Sequence, residues 1–98
     1  MNVNDYIVSN ENMQIHIEIE KRDLAKGIIA ELVAERKKQG LTQQEIADRT
    51  GMKASNVTRI ESCRYMPTLE VLVRYSQAVG KKLQFVLMDE REGYQEGR

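Results

Sequence analysis

The sequence predicts a small, mainly α-helical bundle, and three observations predict it. Between Gln43 and Ser62 lie two short helical patterns separated by a single glycine, Gly51. Before them, Asp23 to Gln39 places Leu24, Ile28, Leu32 and Arg36 on one line, with Ile29 and Val33 beside it, the spacing of an amphipathic helix. After them, Pro67, Thr68 and Glu70 open a further helical pattern that Gly80 stops. With 98 residues, 41% of them hydrophobic, the chain is one domain with a compact core.

The elements follow in order. Met1 to Glu20 reads as an N-terminal extension (residues 1–20). Within it, Met13 to Glu20 alternates apolar and polar residues, which is the strand period. No turn residue separates it from Lys21, and Met13/Ile17 and Ile15/Ile19 are also i,i+4 pairs. Helix is expected over residues 13–19, with strand as the open alternative. His16 has no second histidine or cysteine nearby, so no metal site is expected. In the long helix that follows, Gly27 suggests a close helix approach, and Gly40 marks the end.

The central stretch carries the most information. Thr42 stands at an N-cap, and Glu45 follows at the capping-box distance. Ile46 and Ala47 point inward. Gly51 supplies the positive φ that a tight turn into a second helix requires. Val57 and Ile60 share the inner face of that second helix. Ala54, Ser55, Asn56, Thr58 and Arg59 lie mostly on the other face, which is short, polar and rich in hydrogen-bonding groups. A helix with such a face fits a DNA major groove.

These residues resemble the helix-turn-helix of the phage repressor and Cro family, the Xre-type regulators. The match is carried by Arg36, Leu41-Thr42-Gln43, Glu45-Ile46-Ala47, Gly51, Val57, Ile60-Glu61 and Pro67, from Leu32 to Gly80. The resemblance implies a lambda-repressor-like bundle, with residues 21–80 as the DNA-binding domain. It also implies an ion pair between Arg36 and Glu61 that ties the first helix to the recognition helix. Where Cys63 stands, the family usually has glycine, so either Cys63 takes an unfavourable backbone conformation or the turn after the recognition helix differs. In related repressors that loop touches the DNA backbone, a role open here to Arg64, Tyr65 and Thr68. Gln43 is expected to bond a phosphate and to steady a base-reading neighbour, Lys53 and Thr58 are expected on phosphates, and Ser55, Asn56 and Arg59 on base edges.

In the helix after the loop, Leu69, Leu72, Val73, Ser76 and Val79 are expected inside. Lys81 to Met88 is short, apolar and β-rich, with Leu83, Phe85 and Leu87 on one side. A strand needs a partner for its N–H and C=O groups. The simplest partner is the same segment, residues 81–88, in a second copy, which makes a homodimer suited to a palindromic operator. Pairing with the N-terminal segment is the alternative. Residues 89–98 are expected to be a disordered tail.

Charge and chemistry narrow the function. The formal net charge is zero, but the acids gather at the termini, and Lys21 to Arg64 carries ten basic residues against six acidic. Such a local excess attracts a phosphate backbone. The Tyr6-Ile7 start and the apolar C-terminal strand resemble HigA-like antitoxins, and dimer strands of the latter kind also occur in HipB-like ones. This resemblance implies a repressor that also binds a protein toxin; a stand-alone Xre-type regulator is the alternative. No nucleophile–base set, paired carboxylate, phosphate loop or metal spacing is present, so neither enzyme activity nor a cofactor is expected. One cysteine, no signal peptide and no long apolar run indicate a cytoplasmic protein without a membrane span.

Overall fold

The computed structural model describes residues 11–64 and 66–90. The Tyr6-Ile7 start, Tyr65 and most of the expected tail lie outside the described residues. Four helices are described: α1 Glu11–Lys38, α2 Gln43–Thr50, α3 Ala54–Glu61 and α4 Leu69–Ala78. The α2 helix packs on α3 and α4, and α1 lies across α3 and α4. None of these helices is long and apolar enough to cross a membrane.

The α1 helix runs 28 residues without a break, through Met13–Glu20 and across the Glu20–Lys21 junction. The helical alternative therefore holds for residues 13–19. Its end is a two-bond stop: the Gly40 N–H donates to Lys37 O at 3.0 Å and the Leu41 N–H to Arg36 O at 3.0 Å. The close approach expected at Gly27 is not there. A Cβ built on Gly27 meets nothing within 4 Å, because this part of α1 stands clear of the other helices. Leu24, expected on the inner line, is exposed for the same reason.

Local rules set α2. The Thr42 side chain accepts from the Glu45 N–H at 3.0 Å, and Glu45 Oε1 accepts from the Thr42 N–H at 2.8 Å. Both halves of the capping box are made. Gly51 has φ 79°, and its N–H closes the helix on Ala47 O at 2.9 Å. That left-handed conformation costs a side chain-bearing residue about 1–2 kcal/mol.

The core is Ile29 and Leu32 of α1, Ile46 and Ala47 of α2, Val57 and Ile60 of α3, and Leu72, Tyr75, Ala78 and Val79 from α4 and its end. Thr68 caps α4, accepting from the Val71 N–H at 3.2 Å. Its inner face is rotated from the expected one. Leu72, Ser76 and Val79 are buried, but Leu69 and Val73 are exposed and Tyr75 and Ala78 take their place. Two arginines lock α2 to α4: Arg49 Nη1 donates to Ala78 O at 2.8 Å, and Arg74 Nη1 to Thr50 O at 3.2 Å. Each cation meets carbonyls that a helix end leaves without partners.

The single chain shows no C-terminal strand. Residues 81–89 are neither helix nor strand, and no strand occurs among the described residues. The reason is the partner requirement: within this chain the one apolar segment proposed as an alternative partner, Met13–Ile19, is helical. Leu83 rests partly against the core. Phe85, Val86, Leu87 and Met88 are exposed.

Candidate nucleic-acid interface

The outer face of α3 is built by what its inner face does. Val57 and Ile60 are buried three residues apart, which turns Ser55, Asn56, Thr58 and Arg59 to the surface. Lys53 precedes the helix and is exposed; it occupies the N-cap position without a side-chain capping bond. Arg64, three residues past the end of α3, is exposed as well. Ala54 differs from the other residues named for this face. It is half-buried and packs against the core.

Beneath that face lies a polar network centred on Glu61. Arg36 Nε donates to Glu61 Oε2 at 2.9 Å and Nη2 to Oε1 at 3.0 Å. Tyr75 Oη donates to Oε2 at 2.7 Å, and Gln43 Nε2 to Oε1 at 2.9 Å. Four donors thus fill the acceptor sites of one carboxylate. Arg36 Nη1 also donates to Leu41 O at 2.8 Å. The two charged side chains are only 12% and 9% exposed. Among the described residues, no buried side-chain N or O lacks a partner.

The electrostatics follow from this geometry. Burial pushes the Glu61 carboxyl up, but hydrogen bonds from Arg36, Tyr75 and Gln43 outweigh it, and the group titrates below its ordinary value. The Arg36 guanidinium is raised, chiefly by its bonds to Glu61. Burial, and then the carboxylate beside it, push the Tyr75 hydroxyl well above the usual tyrosine range. The pair therefore stays charged at neutral pH. A buried pair of this kind is a weak net stabiliser, but removing one partner strands the other at a cost of about 3–5 kcal/mol.

The side chain of Gln43, expected to bond a phosphate and to steady a neighbour that reads bases, reaches α3. Its amide is shared within the protein: Nε2 donates to Glu61, and Oε1 accepts from Thr58 Oγ1 at 2.7 Å. The first residue of α2 is thereby fastened to the middle and the end of α3. Thr58, also expected on a phosphate, spends its hydroxyl proton here or on Ala54 O at 3.2 Å. The Gln43–Thr58 bond ties the start of α2 to the exposed side of α3.

Tyr75 is the network member that the sequence reading missed. Its spacing, three residues after Leu72 and four before Val79 on one helical face, was the available signal. Of the two outcomes expected at Cys63, the structure shows the unfavourable conformation: it takes φ 59°, the left-handed region that glycine enters freely. It is the one non-glycine residue with positive φ among the described residues. No cluster of His, Cys, Asp and Glu there could hold a metal ion.

The arrangement is a polar helix face on a rigid, charge-satisfied base. A helix-turn-helix family model matches residues 32–86, which contain the whole of α2, α3 and α4. The chain is similar to an uncharacterized HTH-type transcriptional regulator of Haemophilus influenzae, 32% identical over 69 residues, or 70% of either protein. It is also similar to an uncharacterized HTH-type transcriptional regulator of Methanothermobacter thermautotrophicus, 38% identical over 47 residues. That match takes in 48% of this chain and 68% of the other. No solved structure matches. With more than half of its length under the family model, this chain belongs to the helix-turn-helix family, in its Xre-like form.

Proposed function

We propose that the protein is a sequence-specific DNA-binding transcriptional repressor. The observation that supports this is the outer face of α3, where Ser55, Asn56 and Arg59 are exposed above the Glu61 network. Side chains that must read base edges need a base that does not move. Arg59 suits guanine and Asn56 adenine. Lys53 and Arg64, at either end of α3, suit phosphates. In the Arg59→Ala variant, binding falls by about 1–3 kcal/mol at one base position and preference relaxes there. Selection from random duplexes checks this. Unchanged preference would remove Arg59 from base reading.

One helix-turn-helix covers too few base pairs to select a genomic site. The protein acts as a homodimer on a palindromic operator, its recognition helices about 34 Å apart. Leu83, Phe85 and Leu87 make the dimer interface: two copies of residues 81–88 satisfy each other's backbone groups and bury the exposed apolar side chains. The double variant Phe85→Ser, Leu87→Ser is then a monomer by light scattering, with weak operator binding. A dimer of unchanged affinity would place the interface elsewhere.

A second activity, as the antitoxin that neutralises a protein toxin, is favoured by one observation. Met13, Ile15, Ile17 and Ile19 leave apolar surface uncovered on α1, as protein-binding surfaces do. A stand-alone regulator accounts for α3 equally well. A small toxic protein encoded next door, rescued by this chain on co-expression, decides for the antitoxin.

A further inference from the structure

The charge excess read from the sequence is spent unevenly. Arg36 is bound to Glu61 and Arg49 serves a helix-end carbonyl, as Arg74 does from beyond the Lys21–Arg64 stretch. These cations hold the fold together. A different group remains on the surface.

Lys21, Arg22 and Lys26 of α1 converge with Arg64 on one shallow cleft, which Cys63 also lines. On α1 the three lie within a sector of about 140°, around the buried Ile29. That sector faces the loop leaving α3. The same cleft holds one carboxylate, Glu18, which pairs with Lys21 at 3.2 Å. Among the described residues, Arg22, Lys26 and Arg64 enter no ion pair. Four cations against one anion repel one another, and nothing in the core requires them there. An anion laid across the cleft relieves that repulsion.

The position of the cleft selects the anion. Arg64 lies three residues past the C-terminal end of α3, so the cleft continues the proposed DNA-facing surface sideways onto α1. We propose that Lys21, Arg22, Lys26 and Arg64 form a backbone clamp on DNA phosphates flanking the bases that α3 reads. The clamp rests on the DNA-binding reading and extends it to a part of α1 outside the helix-turn-helix. It adds affinity that depends on the length of the duplex and on salt, and no base preference.

The test uses the full chain and an operator selected with the unaltered protein. Two duplexes are compared: the selected core, and the core with about 5 flanking base pairs, half a helical turn, on each side. The unaltered protein binds the longer duplex more tightly. The variant Lys21→Gln, Arg22→Gln, Lys26→Gln keeps its affinity for the core and loses that advantage. On the longer duplex its salt slope is shallower by about 0.9 for each phosphate no longer neutralised, about threefold in affinity per phosphate between 50 and 200 mM salt. The pair Arg22→Gln, Lys26→Gln, which leaves Glu18–Lys21 intact, shows the same change if the triple variant does not fold. A variant with the full length advantage and an unaltered slope overturns the clamp and leaves the repressor standing. Equal losses on both duplexes also overturn it, since they mark a diffuse field rather than a clamp on the flanks. An unaltered protein that selects no DNA removes the repressor and the clamp together.

Discussion

In the second half of α1, Ile29 and Leu32 are 2% and 6% exposed; in the first half, Ile15 and Ile19 are 55% and 51% exposed. The residue types are alike and the helix is continuous. What differs is the period. Ile28, Ile29, Leu32, Val33 and Arg36 fall within about 140° of one face, so a single surface covers them. Met13, Ile15, Ile17 and Ile19 step by two residues, which on a helix is about 200°. They form two stripes on opposite sides. No single surface can bury both, and the small bundle supplies neither. The lesson is that hydrophobicity makes a core only when its period matches the element that carries it.

The largest effect that sharpens this contrast lies under the second half. Glu61→Ala strands Arg36 and leaves the Tyr75 hydroxyl without its acceptor, lowering stability by about 3–5 kcal/mol in urea titration. A loss below about 1 kcal/mol would class the pair with surface bridges. The same carboxyl sets an acid limit. Its folded value lies below its unfolded one. Its contribution is therefore complete above the unfolded value, about 4.3, and is lost as pH falls through the lower folded value. Glu61→Gln removes that part of the acid limb in pH-dependent melting.

The direct comparison comes next. Leu32→Ala costs about 2–5 kcal/mol, whereas Leu24→Ala, two turns earlier on α1, stays within about 0.5 kcal/mol. Both are read by chemical denaturation at low protein concentration. If Leu24→Ala costs more, and the excess grows with concentration, a second copy covers the first half.

Smaller effects mark the boundary between the halves. Cys63 faces Ala25 and Ile29 across the cleft and holds φ 59°. Cys63→Gly gains about 0.5–1 kcal/mol, the left-handed strain relieved less the added backbone entropy. At Gly27, where nothing is within 4 Å of an added Cβ, Gly27→Ala gains about 0.5–1 kcal/mol. Thermal melts check both. A loss at Gly27 would mean that the helix bends or packs there in solution.

The sequence by itself determined what acts within a turn or two of chain. The Thr42–Glu45 capping box, the Gly51 turn and the inward Ile46, Ala47, Val57 and Ile60 were all legible. Each depends on neighbours within about four residues, and short-range sterics fix them whatever the rest of the chain does. The Arg36–Glu61 pair was legible only through resemblance, because its partners are 25 residues apart. Tertiary structure decided the rest. It chose Tyr75, 14 residues from Glu61, as a donor, and it took Gln43, 18 residues away, for the same carboxylate. It left Leu24 and Leu69 outside, rotated α4 and gave residues 81–88 no ladder within the single chain. Those outcomes turn on which surfaces meet and how much of each is covered. A helical period specifies a face, but only the packed bundle specifies what that face touches.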